Sequence, residues 1–315
     1  MKIVHTFVRQ GMGYYPEYRE LMDTWRLKGM ILSCILARKH YDEVELWTSK
    51  EIAELIQKLG LPYTKINVHG KEAISNAVLF GLPKLYTFLE QTEPFVHIDV
   101  DTFLFDRLNE SRLTDITFCH QDVVINKLSS IKTYYEIYVE SLLENQDKLP
   151  EWYGSNIDIN EIPNMNLVAI KSINEFKEAV QLILSIYLQN KEHWDKLTYN
   201  GSMIMEQLGT GTCLKHLNHR FDYYFDNHIP NMSIKNNFMA FFNPYTKKQQ
   251  LFNTDTQMNE IDNFNYDGYL HTSGYWLSNP LTQKIIESRI VKEGYGDLLS
   301  LVDSANVYKN YLKYI

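Results

Sequence analysis

At 315 residues the chain is long enough for one large core or two small ones. Its 44% hydrophobic and 22% charged residues place it with globular rather than disordered proteins. A formal charge of -8, with no long run of like charge, argues against a nucleic-acid partner, which wants a basic face, and offers no attraction to an anionic membrane. No apolar run nears the roughly 18 residues a membrane helix needs, so a cytoplasmic protein is the default expectation. Cys34, Cys119 and Cys213 are few, odd in number and widely spaced, which excludes a disulfide framework or a Cys-rich zinc site as the organising principle. The many tyrosines are either flat platforms for sugars and bases or a bias of composition.

The opening MKIVHTFVRQG is too short and interrupted for a leader and predicts a buried first strand over 2–8, with a Gly11/Gly13 turn behind it. A helix follows over about 19–38, then a short strand Val44–Thr48. Ser49 is placed to cap a helix that carries Glu51 and Glu54 near its positive end and stops at Gly60. A third strand is expected over 63–68, and helix over 71–91, split at Gly81 and Pro83. Residues 95–105 read as a strand that enters a turn and leaves it again. Further strands are expected at 116–119 and Leu167–Ile170, and helices at 131–145, 176–189 (Ser172 and Glu175 as a capping box) and 203–217. Residues 227–267 are polar and Asn-rich and predict loops or short antiparallel pieces, with closing helices at 285–291 and 298–311. Alternation of strand and helix favours an α/β fold with one mixed, mostly parallel central sheet flanked by helices.

The sharpest local signal is His97-Ile98-Asp99-Val100-Asp101. On a strand, positions 99 and 101 share one side, and ligands of open parallel sheets bind at the C-terminal strand ends. Two carboxylates there can hold Mg²⁺ or Mn²⁺ if a pyrophosphate supplies further oxygens. The plain alternative is a surface triplet that bridges a lysine or caps a turn. The apolar bracket PFVHI…TFLF favours the functional reading, because buried carboxylates must be paired, solvated or metal-bound. His97 is read first as a satisfied core histidine, and second as support for Asp99.

The stretches LWTSKEIAELIQKLGLPY and GLPKLYTFLEQTEPFVHIDVDTFLF resemble the nucleotide-sugar transferases of GT-A fold. The style is closest to the retaining families related to glycosyltransferase families 8 and 32, and to bacterial proteins placed near them. The resemblance runs over most of 1–275 and is sharp around 80–105. It implies that Asp99 and Asp101 bind Mn²⁺ (or Mg²⁺) and the donor diphosphate, with Asp101 the stronger ligand, and that His271 in DGYLHTSG completes the metal shell. By the same resemblance, Lys84 stands where a basic residue touches donor sugar or phosphate. Asn164 and Asn166 stand where an Asn-any-Gly stretch lines the donor-sugar pocket, with Asn166 replacing the glycine and narrowing it. Glu206-Gln207 occupies the place of an acidic residue and Gln beside the reacting carbon, although Glu206 also suits a solvated helix carboxylate. Tyr14 and Tyr15 lie where a nucleotide base is stacked, or else pack the first helix onto the sheet. The usual phosphate-binding lysine after the histidine is Leu277 here, for which Lys84 or Lys284 are candidate substitutes.

The resemblance thus implies a hexosyltransferase-like enzyme of bacterial glycan biosynthesis, moving a sugar from a nucleotide diphosphate donor, a UDP-sugar first, to a glycan, lipid-linked or small-molecule hydroxyl. Retention is the family-based expectation, while an inverting route would use Asp122 or Glu206 as base. Two rivals stay open: an impaired GT-A-like sugar-binding protein and a metal-dependent nucleotide-sugar hydrolase. Residues 1–275 form the expected catalytic domain, with 227–267 on the acceptor side and 276–315 a helical extension packed on it. No transmembrane segment is expected, and peripheral membrane association is compatible with the sequence.

Overall fold

The apolar run after Met1 forms β1 (Lys2–Phe7), an interior strand of the main sheet. The computed structural model describes residues 1–8, 19–70, 81–122, 149–158, 161–191, 204–225, 232–235, 238–243, 248–253, 269–272 and 280–303. After β1 come α1 (Arg19–His40), β2 (Val44–Thr48), α2 (Lys50–Leu59) and β3 (Lys65–Val68). Gly60 ends α2 at φ 65°, the left-handed cap that glycine adopts without a Cβ penalty. Ser49 occupies the N-cap of α2 without making a side-chain cap bond, so the expected capping contact is absent.

Helix α3 spans Gly81–Glu90, and the rest of the helical stretch expected over 71–91 before it lies outside the described residues. Then follow β4 (Phe95–Ile98), β5 (Thr102–Leu104), β6 (Ile116–Phe118) and β7 (Gln121–Asp122). Next are α4 (Glu151–Asn156), β8 (Ile162–Pro163), β9 (Leu167–Ile170) and α5 (Ile173–Gln189). Ser172 precedes α5 but its side chain makes no cap bond, so the predicted capping box does not form. The helix expected over 203–217 is a π-helical segment, Ile204–Gly209, running into α6 (Thr210–His216). The chain continues through β10 (Asp222–Tyr223), β11 (Met232–Lys235), β12 (Phe238–Asn243), β13 (Lys248–Asn253), β14 (Tyr269–His271), α7 (Pro280–Lys292) and α8 (Gly296–Asp303). The helix expected over 131–145 lies outside the described residues.

The main sheet has the order β10-β6-β9-β4-β1-β2-β3. All neighbours are parallel except at β9, which runs antiparallel to both β4 and β6. The mixed, mostly parallel α/β sheet inferred from the alternation of elements is therefore present. Side chains part by the two-residue period of strands. Val4, Phe95, Val168 and Ile170 join the core under α3 and α5, whereas Ile3, Val96, Leu167 and Ala169 face the cluster that includes Ala37 and Tyr41. Helix α7 lies against α1, fastened by Lys28–Glu287 at 2.7 Å and Lys39–Glu293 at 3.0 Å. In the Asn-rich stretch, β11, β12 and β13 form an antiparallel three-stranded sheet.

Two topological facts position the site. The sheet switches direction of growth at β1, which pairs with β2 on one side and β4 on the other, and such a switch opens a crevice at the C-terminal strand ends. Because β9 is reversed, its N-terminal end, carrying Asn164 to Asn166, arrives beside the C-terminal end of β4.

Candidate metal and donor site

Strand β4 stops at Ile98, and Asp99 to Asp101 form the turn into β5. The expectation that both aspartates share one side of a strand is corrected here. A turn brings them together, closed by Thr102 N–H donating to the Asp99 carbonyl at 2.9 Å. The Asp99 N–H donates to the Asn166 carbonyl at 2.9 Å, which ties the turn to the start of β9. Antiparallel pairing of β14 with β5 sets His271 opposite Thr102. Thr272 then pins the Asp101 carbonyl from both its N–H (2.9 Å) and its hydroxyl (3.1 Å).

Ligand atoms of Asp99, Asp101 and His271 lie within 4.8 Å of one another, and all three side chains are half-buried. His271 Nε2 is 3.5 Å from Asp101 Oδ1. Burial pulls the His271 pKa down, but the Asp101 carboxylate outweighs it and the net direction is upward. Two hard carboxylates with one imidazole make a donor set that suits Mn²⁺ and accommodates Mg²⁺ through the carboxylates.

Lys84, on α3, is buried behind the turn. Its ammonium reaches Asp99 Oδ1 at 2.8 Å, Glu206 Oε1 at 2.6 Å and the Met165 carbonyl at 2.5 Å, which uses all three of its hydrogens. Burial works against its charge, and Asp99 with Glu206 more than offsets that, holding its pKa up. Glu206, only 3% exposed, is not the solvated helix carboxylate that its sequence context also allowed. Burial pushes its carboxyl upward while Lys84 opposes the push. At 2.6 Å the pair is an ammonium facing a carboxylate, because Lys84 serves two further acceptors at once. Gln207 is buried beside Glu206 on the same π-helical turn.

Asn164 and Asn166 do approach the turn, by the route β9 provides. Asn164 Oδ1 accepts from the Asn166 N–H at 3.1 Å. The Asn166 carboxamide is 2% exposed and lies between His271 Nδ1 (2.8 Å) and the Tyr269 hydroxyl (2.7 Å). His97 is a core residue. Its Nε2 meets Thr6 Oγ1 at 3.0 Å, its ring packs edge-on against Phe88, and burial drives its pKa well below the ordinary value. Support from His97 to Asp99 is therefore not part of the site. Asp122 pairs through its backbone with Ile162 in the small β7–β8 ladder. Tyr14, Tyr15 and Leu277 lie outside the described residues.

The structure thus brings Lys84, Asp99, Asp101, Asn166, Glu206 and His271 into one connected group. Tyr269 belongs to it and was not foreseen. Its signal was its place two residues before His271, on the same side of a strand.

A family model described as "Family of unknown function (DUF6734)" matches residues 1–264. No curated protein matches the chain. Among solved structures, mouse xyloside xylosyltransferase 1 in its apo form is similar over 70% of this chain and 83% of its own, at 9% identity and a TM-score of 0.37. The galactosyltransferase LgtC, in complex with donor and acceptor sugar analogs, is similar over 71% of this chain and 73% of its own, at 10% identity and a TM-score of 0.39.

Proposed function

The chain belongs to the family of unknown function DUF6734, and we propose that it is a metal-dependent glycosyltransferase acting on a nucleotide diphosphate sugar and a hydroxyl acceptor. One observation carries the reading: His271, far from Asp99 and Asp101 in sequence, converges with them at the C-terminal end of β4 beside the switch in the sheet. Three carboxylates meet there against one ammonium and one imidazole, a surplus of negative charge that a divalent cation offsets. Asp99, Asp101 and His271 would hold Mn²⁺ or Mg²⁺ there, and the ion would supply Lewis-acid stabilisation of the departing diphosphate.

The remaining work falls to the chain's own groups. Lys84 fixes the Asp99 carboxylate by one oxygen, which leaves its other oxygen for the cation and makes Lys84 a positioning residue. Glu206 is buried and held through one oxygen by the Lys84 ammonium, which suits it to a fixed negative charge beside the sugar, and retention is the outcome we propose. In that route the acceptor hydroxyl gives its proton to the departing phosphate oxygen, and Glu206 with Gln207 faces the positive charge that grows on the sugar. A UDP-sugar is the donor we would try first.

The test is to follow thermal stabilisation and sugar-nucleotide loss over a panel of donors, with and without Mn²⁺ and hydroxyl acceptors. Wild type should be stabilised by one donor only with metal present. D99A/D101A should lose that stabilisation and at least roughly 100-fold in turnover, since metal assistance is worth several kcal/mol. Equal stabilisation of both proteins sinks the proposal. Donor loss that never yields a glycosylated acceptor assigns a hydrolase instead.

A further inference from the structure

The imidazole of His271 has two nitrogens with different neighbours, and a metal taken up at one dictates the proton at the other. Nε2 faces Asp101 and Nδ1 faces the Asn166 carboxamide at 2.8 Å. Coordination through Nε2 needs a lone pair there, so the ring proton must sit on Nδ1 and find an acceptor. The only side chain shown within hydrogen-bond reach of Nδ1, among the described residues, is Asn166. Resting on the reading above, we propose that Asn166 is a positioning residue that sets the tautomer of His271 through a reversible chain of hydrogen bonds, Cys119–Tyr269–Asn166–His271.

The chain has two self-consistent settings on the same heavy atoms. In one, the Tyr269 hydroxyl donates to Asn166 Oδ1 (2.7 Å) and Nδ2 donates to Nδ1 of His271, which leaves the ring proton on Nε2 toward Asp101. In the other, the carboxamide is turned over. Its oxygen accepts from Nδ1–H, its NH₂ donates to the Tyr269 oxygen, and Tyr269 donates to Cys119 Sγ, 3.3 Å away. Carboxamide N and O are nearly the same size, so the two settings occupy one shape. The second exposes the Nε2 lone pair to the cation. A glycine at position 166 offers neither setting, and this is the physical sense of an asparagine there: at 2% exposure, its polar atoms serve His271 and Tyr269.

Measure Mn²⁺ affinity of the full chain by titration, without donor or turnover, for wild type, N166L, N166D, H271A and N166L/H271A. Loss of the partner of a metal-bound imidazole costs about 10–100-fold in affinity, so N166L should weaken binding at least about tenfold. N166D, which keeps an acceptor for Nδ1–H, should bind at least as tightly as wild type. In the H271A background N166L should add no further loss. With Zn²⁺ as a diamagnetic probe, nitrogen NMR of ¹⁵N-histidine protein should place the His271 proton on Nδ1 in wild type and N166D. If N166L binds Mn²⁺ like wild type while H271A does not, the positioning role is wrong and the metal site stands. If N166L costs as much without His271 as with it, its effect is general disruption and the role is again overturned. If H271A itself binds like wild type, His271 is no ligand, and the underlying reading fails at that residue.

Discussion

Lys84 stands among three acceptors, and removing it leaves Glu206 as a buried carboxylate with no opposite charge. Breaking a buried pair from one side costs about 3–5 kcal/mol, far more than the pair contributes in net terms. Lys84→Met should therefore lower stability by about that amount, read by urea denaturation, and Lys84→Met/Glu206→Gln should recover part of it. If the double variant is no more stable than Lys84→Met, the ion group is not what holds this corner. Sequence named Lys84, Asp99 and Glu206 separately, each with a ligand-facing role. That they meet one another was not legible, because their contacts span α3, the β4–β5 turn and the π-helical segment.

At the scale of elements, the segment carrying Glu206 is set in place by a close approach. A Cβ at Gly211, on α6, would come within 2.8 Å of the Pro163 ring on β8, just ahead of Asn164 to Asn166. Gly211→Ala should destabilise the protein by about 1–3 kcal/mol through overpacking. Because α6 continues directly from the Glu206 turn, donor turnover should fall with it. Unchanged urea stability and unchanged turnover together contradict this account. Local elements were largely readable: Val44–Thr48 and Leu167–Ile170 have their expected bounds, and Gly60 ends its helix as its residue type demands. Caps were less so. Ser49 and Ser172 stand at N-caps without bonding there, since a side-chain rotamer answers to surroundings that spacing does not encode.

Across the whole molecule, three buried histidines make the fold sensitive to acid. Burial lowers His5 to about 3 and His69 to about 4, and drives His97 well below its ordinary value. The unfolded chain takes up these protons near pH 6.5, whereas the native one does not until far lower. Each histidine thus removes stability as pH falls from about 6.5 toward 4, on the order of 1 kcal/mol per pH unit in the middle of the window. His271 acts in the opposite sense: its raised pKa contributes stability below about 6.5 that is lost as pH rises through its folded value. Glu206, also raised, has the same sign as His271. With the larger shifts on the buried three, urea midpoints should drop between about pH 7 and pH 5. A midpoint that holds or rises would mean those rings do not stay neutral in the fold.

The sequence by itself determined the class of sheet and the residues that make up the candidate cation site. Strand and helix periods are local properties, and a D-x-D triplet in an apolar bracket is visible without a fold. Tertiary structure alone decided how those residues are used. Reversal of β9 and the pairing of β14 with β5 carry Asn166, Tyr269 and His271 to the Asp99–Asp101 turn. Hydrogen bonds and ion pairs act over about 3 Å, and which side chains come that close across more than a hundred residues of chain is a matter of topology.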